Sequence, residues 1–363
     1  MNAAASVEPD ANRPSADERS FWSAYEARQA TAIPARGPTS DTVHPGSQPE
    51  GEPDVTNLKD ATGAARAVLP DLIPGGQLLD TEYPPVEFAI DPIAPLRELI
   101  EWVGAHGIFK STLALAACLS VATGRRYGGM PVRKGRAVFI TAEDSERTIA
   151  FRVRAFLESI PVGEERRRAT EAIRENFYFL AREHVRGLAL TLVENGEPSA
   201  RAGVVARLTL LVYGALLVFL ETAARLAEGN ENENRVQAAF AQVVEQVAID
   251  SGAAVGIVRH VGKQAAREGS SDSYAGRGGG AFSDAARSIV NFTRPDSKGD
   301  DPDPFAPVLM RHAKATHSRP APKLLWLPVE TPAGVYLRPL TEDEETRANA
   351  GSSSPRSRPT GSR

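Results

Sequence analysis

An α/β fold with a mostly parallel sheet flanked by helices is predicted by three observations. Short, near-continuous apolar runs recur along the chain, and helix-patterned stretches separate them. Strands without polar alternation are buried on both faces, which is how a parallel sheet covered by helices reads. After about residue 287 the helical stretches give way to successive strand runs, predicting an antiparallel extension of the same sheet.

The elements follow in order. Residues 99–103 (LIEWV) are short and rich in β-formers, and the Ala- and Leu-rich run after Lys110 has no Gly or Pro until Gly124, which predicts a largely buried helix. Residues 136–142 (RAVFITA) read as a buried strand, and 145–159 and 164–176 as helices. Strands are predicted at 177–181 and 188–193, a helix at 199–213, and a buried strand at 215–220. A long helix spans 233–251, with apolar positions at helical spacing, and a buried strand follows at 253–258. The strand-rich end comprises 288–293, 307–311, 324–329 and 334–340.

Residues 1–84 are rich in Pro, Ala, Gly, Ser and acidic residues and predict disorder, as does the tail at 341–363. The folded core is therefore expected at 85–340. One aromatic island, Phe21-Trp22-Ser23-Ala24-Tyr25, interrupts the N-terminal region and is a candidate partner-binding peptide. Net charge is −4, so any nucleic-acid contact must be local rather than the effect of a global basic field. The single Cys118 lies in an apolar helix and reads as core packing. The longest apolar run, 208–220, has thirteen residues, whereas a membrane span needs about 20. A soluble, cytoplasmic protein is expected.

The stretch Gly104-Ala105-His106-Gly107-Ile108-Phe109-Lys110-Ser111-Thr112 is close to the phosphate-loop pattern G-x-x-x-x-G-K-[ST], with Phe109 in place of the second glycine. Such a loop cradles phosphates with backbone N–H groups at a helix N-terminus. Gly104, Gly107, Ile108, Phe109, Lys110, Ser111 and Thr112 are thus candidates to bind the phosphates of ATP, and Ser111 to bind Mg²⁺. A left-handed backbone at Phe109 would be strained, whereas a negative φ there would leave the loop intact.

In sheets of this kind ligands sit at the C-terminal ends of the strands. The strand at 137–142 is followed by Glu143-Asp144, the one at 215–220 by Glu221, and the one at 253–258 by Arg259-His260. Phosphoryl transfer needs a metal, a positioned water and positive charge on the transferred group. Glu221 follows an apolar run and is the candidate Mg²⁺ carboxylate together with Ser111. Glu143 is the candidate to orient and deprotonate the attacking water, and His260 to sense the terminal phosphate. Lys263, Arg277 and Arg287 are candidates for a cation supplied across a subunit interface. His312 and His317 lack companions for a zinc site.

The segments GAHGIFKSTLAL, VFITAEDSERTIAFRVRAF, LLVFLETAARLAEGNENEN, GAAVGIVRHVGK and YAGRGGGAFSDAARS together resemble the RecA-type hexameric ATPases, in particular the RepA-like replicative helicases of plasmids and phages. The resemblance runs from about 88 to 340. It implies a RecA-like P-loop core, ATP and Mg²⁺, a hexameric homo-oligomer and a single-stranded DNA partner. Lys110 and Ser111 match the phosphate lysine and the Mg²⁺ hydroxyl, Glu143 the catalytic glutamate and Glu221 the Walker B acid. His260 matches the second of two sensor histidines, with Arg259 in place of the first, and Arg287 matches the arginine finger. Phe109, Glu221 and Arg259 are departures from the family's Gly, Asp and His. The resemblance also places DNA on the loop 261–277, where Lys263, Arg267 and Arg277 would meet phosphates and Tyr274 would stack on a base.

Three readings compete: a ring-forming ATPase moving on single-stranded DNA; a hydrolysis-impaired nucleotide-binding scaffold that recruits replication partners through its tails; and a non-translocating enzyme such as a kinase. Arg287 favours an oligomer over the last.

Overall fold

The computed structural model describes residues 72–230, 233–261, 280–294, 303, 305–340 and 344. The aromatic island at 21–25, the loop residues Lys263, Arg267, Tyr274 and Arg277, and most of the C-terminal tail lie outside them. Two compact units separate, with a boundary between Pro85 and Val86. In the first, α1 (Gly76–Asp80) is one helical turn that buries no residue, in a segment whose composition predicts disorder. The described residues of the second begin at Val86 and hold every other described element.

In the second unit β1 (Phe88–Ile90) and β2 (Ala94–Pro95) form a small antiparallel ribbon before β3 (Leu99–Gly104). There follow α2 (Lys110–Thr123), β4 (Ala137–Thr141), α3 (Glu146–Glu158), α4 (Glu164–Asn176) and β5 (Phe177–Leu180). Next come β6 (Thr191–Glu194), β7 (Glu197–Ala200), α5 (Ala202–Val212), β8 (Leu217–Glu221) and α6 (Ala223–Leu226). After these run α7 (Asn234–Ser251), β9 (Ala254–His260), α8 (Ala281–Ala285), β10 (Ser288–Thr293), β11 (Val308–Ala315), β12 (Leu324–Thr331) and β13 (Gly334–Pro339).

Among the described residues one nine-stranded sheet runs in the order β13-β12-β11-β10-β3-β9-β8-β4-β5. From β10 to β5 all neighbours are parallel. β11, β12 and β13 extend the sheet antiparallel beyond β10. The expected α/β architecture with its antiparallel extension is the one observed. Central strands β3, β4 and β8 are buried at every position, because helices cover both faces. α2 packs across β4 and β8 with α3 and α4 beside it, while α7 packs on β9 and β3 with α5 and α8 beside it. Side chains alternate along each strand, so Leu99, Val103, Val255 and Ile257 join the α7 core, and Trp102 and Phe219 stack edge-to-face, centroids 4.6 Å apart.

One local expectation differs. The helix predicted at 199–213 starts only at Ala202, because β6 and β7 close a hairpin through Asn195-Gly196, both at positive φ (54° and 82°). Asn-Gly is the favoured two-residue hairpin turn, and its tertiary strand pairing overrides the helical pattern at Ser199 and Ala200. No helix among the described residues is long and apolar enough to cross a membrane.

Candidate functional site

The loop between β3 and α2 lies at the C-terminal edge of the parallel strands. Gly104 ends β3 with no room for a side chain: a Cβ there would stand 2.8 Å from the Phe292 carbonyl oxygen. Gly107 turns the loop at φ 73°, a conformation glycine adopts at little cost. Phe109 is left-handed as well, at φ 62° and ψ 21°, so the strained alternative considered for this position is the one adopted. A left-handed turn costs a residue with a Cβ roughly 1–2 kcal/mol. Its ring lies 6.4 Å from that of Phe305, and the Arg294 guanidinium donates to the Gly107 carbonyl at 2.9 Å. Phe109 is also the N-cap of α2 and offers no side-chain acceptor. The first-turn N–H groups, which no helical carbonyl can satisfy, therefore face a site suited to an anion.

Three strand ends bring polar groups to this loop. In register, Thr141 pairs with Glu221 across β4 and β8, and Gly104 pairs with His260 across β3 and β9. The Ser111 hydroxyl donates to Glu221 Oε1. Glu221 is 1% exposed, and among the described residues its Oε2 is buried without a hydrogen-bond partner. Burial is the main reason its carboxyl is pushed up to about 7, with the Asp144 charge adding; the Ser111 hydrogen bond, Arg152 and Thr141 oppose it. Lys110 Nζ donates to the Ala105 carbonyl at 2.6 Å and to His260 Nδ1 at 3.3 Å. Burial pulls this ammonium down to about 8, against the attraction of Glu221 and Glu143.

Glu143 is more open: its side chain is 41% exposed, accepts from the Thr222 hydroxyl at 3.1 Å and lies 3.9 Å from Arg225 Nε. The Thr141 hydroxyl accepts the N–H groups of both Glu143 and Asp144 and so shapes the end of β4. Asp144 pairs with Arg152 from α3, which the Ser145 hydroxyl caps by accepting the Thr148 N–H.

Lys110, Ser111, Glu143, Glu221 and His260 are thus brought together. Arg259 is not. Successive residues of a strand point to opposite faces, so Arg259 turns into the core while His260 meets the loop. Its guanidinium pairs with Glu101 at 2.6 Å, with side chains 3% and 0% exposed, and lies 4.9 Å over the Phe282 ring. Arg259, which stands in the position of the first sensor histidine in the resembled family, is thus held away from the loop. Arg287 is exposed at the start of β10, where its N–H donates to the Leu99 carbonyl at 2.9 Å. That is the other end of β3 from Gly104, roughly 16 Å along the strand. His312, in β11, accepts the Ala321 N–H at Nδ1 and donates from Nε2 to the Ser288 hydroxyl, far from any metal role. His106, Thr141, Arg152 and Thr222 went unassigned in the sequence reading. Only His106 had a signal, its place inside the loop.

Among the described residues no three or more His, Cys, Asp or Glu gather around a metal. Mg²⁺ needs no such cage, since it is commonly held by one or two carboxylates, substrate phosphates and water. Glu221, with an unpartnered buried oxygen beside the Ser111 hydroxyl, fits that mode.

A family model described as an AAA domain matches residues 64–266, more than half of the chain. The chain belongs to this AAA domain family. The AAA match takes in the loop, Glu143, Glu221 and His260, and ends before Arg287. Two solved structures are similar in fold. One, described as an ATPase domain, gives a TM-score of 0.45 at 11% identity, covering 66% of this chain and 84% of that one. The other, a DnaB-like replicative helicase described with its interactions with primase, gives 0.48 at 11% identity, covering 72% of this chain and 66% of the other. No curated protein matches the chain.

Proposed function

We propose that this AAA-family chain is a RecA-like motor domain, residues 85–340, that binds and hydrolyses ATP and acts on single-stranded DNA as a RepA-like helicase or loader. The observation that carries the reading is the Ser111–Glu221 pair beside Lys110, at the mouth of an uncapped helix and at the C-terminal ends of parallel strands. In this reading the loop N–H groups from Gly104 to Thr112 and the Lys110 ammonium hold the phosphates. Ser111 and Glu221 hold Mg²⁺, which supplies charge neutralisation on the phosphates when bound. Glu143, open to solvent and oriented by Thr222, positions and deprotonates the attacking water. His260 donates to the terminal phosphate. Arg287, too distant to serve its own loop, serves that of a neighbour in a ring, and the loop 261–277 with Lys263, Arg267, Tyr274 and Arg277 contacts DNA.

The test is a titration with a fluorescent ATP analogue and Mg²⁺ beside Lys110→Ala, followed by phosphate release with and without single-stranded DNA. Binding removed by the substitution, and turnover raised by DNA, is the expected result. A folded wild-type protein that binds nothing overturns the reading.

The left-handed Phe109 favours one second reading: a nucleotide-binding scaffold that hydrolyses poorly and recruits partners through its tails. Phe109→Gly separates the two. A turnover rise of orders of magnitude marks the natural loop as impaired; unchanged turnover marks Phe109 as a working variant.

A further inference from the structure

Phe109 stands where a phosphate loop of this pattern has glycine, and it holds a left-handed backbone at φ 62°. A glycine would take that turn without strain, so the ring is present at a cost. It is part-exposed and lies 6.4 Å from the ring of Phe305, the planes tilted by 55°. Phe305 is itself 37% exposed. One guanidinium braces the pair: Arg294, just past β10, donates to the Gly107 carbonyl at 2.9 Å and to the Asp303 carbonyl. Asp303 Oδ1 in turn accepts the Phe305 N–H at 2.8 Å. Two aromatic rings are thus held at the edge of the loop with part of their surface open to solvent.

Sheet order decides which end of a ligand meets them. β9, β8 and β4 lie on one side of β3, and β10 lies on the other. The groups assigned to the terminal phosphate and its metal, His260, Glu221 and Glu143, all come from the first side. A nucleoside triphosphate carries its base at the end remote from the terminal phosphate. Laid over the loop with that phosphate toward β9, it brings its base toward β10, where Phe109 and Phe305 stand. We infer that Phe109 contacts the nucleobase: its ring, backed by Phe305, is the apolar wall on which the base of the triphosphate stacks. The inference rests on the reading of this loop as a triphosphate site. Every base has a π-face whatever its edge, so the wall favours nucleotides over bare triphosphate without choosing between bases.

The experiment is calorimetric titration of the full chain, with Mg²⁺, by ATP, GTP and inorganic tripolyphosphate. Phe109→Ala keeps a Cβ on the left-handed turn and removes only the ring, Phe109→Tyr keeps the ring, and Phe305→Ala removes its support. Wild type is expected to bind ATP and GTP more tightly than tripolyphosphate. Phe109→Ala is expected to weaken both nucleotides about tenfold, the size of one base–aromatic stack, and to leave tripolyphosphate unchanged. Phe109→Tyr is expected to bind like wild type, and Phe305→Ala to weaken both nucleotides by a smaller factor. Phe305→Ala tests the same wall should Phe109→Ala not fold. Nucleotide affinity unaltered in Phe109→Ala overturns the inference. So does an equal loss of nucleotide and tripolyphosphate in the folded variant, which marks the ring as a support of the loop alone. Wild type that binds tripolyphosphate as tightly as ATP overturns it too, while leaving the phosphate loop standing. Wild type that binds neither nucleotide nor tripolyphosphate removes the proposed function, and this inference with it.

Discussion

Glu101 and Glu221 end up in the same sheet in opposite settings. Both side chains are buried, at 0% and 1% exposure, and among the described residues each keeps one oxygen without a hydrogen-bond partner. Glu101, in the middle of β3, meets the Arg259 guanidinium at 2.6 Å on the α7 face. Glu221, at the end of β8, accepts from the Ser111 hydroxyl of α2, and its carboxyl is raised to about 7, chiefly by burial. A buried carboxylate with a matched cation belongs to the fold. One left to neutral hydroxyl donors is held in a costly state that a bound cation would relieve, and such perturbed groups gather at functional sites.

The largest effect expected from this contrast is on stability. Glu101→Gln leaves Arg259 buried without its counter-charge and should cost about 3–5 kcal/mol in urea unfolding. The double variant Glu101→Leu with Arg259→Met should lose much less, since replacing both partners by apolar groups is often neutral. Equal losses in single and double variants would break the distinction drawn between the two glutamates.

A third buried titratable group extends the comparison to pH. His312 is satisfied by neutral partners, and burial pushes its imidazole down to about 4 from the ordinary 6.5. Between those values the unfolded chain binds the extra proton, so stability should fall as pH drops from 6.5 toward 4, by about 3 kcal/mol over the window. The stability difference between wild type and His312→Gln should track that window; a difference independent of pH would show that His312 titrates normally.

Glu221→Gln sharpens the contrast from the other side. It preserves the acceptor for Ser111 while removing a charge whose burial is costly, so stability near neutral pH should hold or rise, while the proposed turnover of ATP falls at least about a hundredfold. Collapse of the fold with no specific loss of turnover would place Glu221 with Glu101 as a structural residue.

The smallest effect expected is at Phe109. Glycine relieves the left-handed strain but loses the ring contact with Phe305, so Phe109→Gly should raise stability by about 1 kcal/mol or less. A clear destabilisation in thermal unfolding would show that the aromatic contact outweighs the backbone strain.

Much of this was legible along the chain. Uninterrupted apolar runs such as Ala137–Thr141 and Leu217–Glu221 announce buried parallel strands, because no face of them tolerates water. The loop from Gly104 to Thr112 was legible as a turn between a strand and a helix, and its glycine, lysine and hydroxyl are the residues phosphate contact at a helix start would require. The β6–β7 hairpin was missed because its short strands border a helical pattern, although Asn195-Gly196 gave the turn away.

What the sequence alone determined is therefore the class of fold and the order of its main strands and helices, with a short list of candidate residues for phosphate contact. These depend on local composition and period. Tertiary structure decided which of two adjacent residues, Arg259 or His260, reaches the loop. It also decided that Phe109 stands left-handed and that His106 covers His260. Those outcomes follow from the register of β9 against β3 and from packing between groups some 150 positions apart. No local pattern encodes such a register, because β3 and β9 are buried on both faces and carry no polar alternation that would fix it.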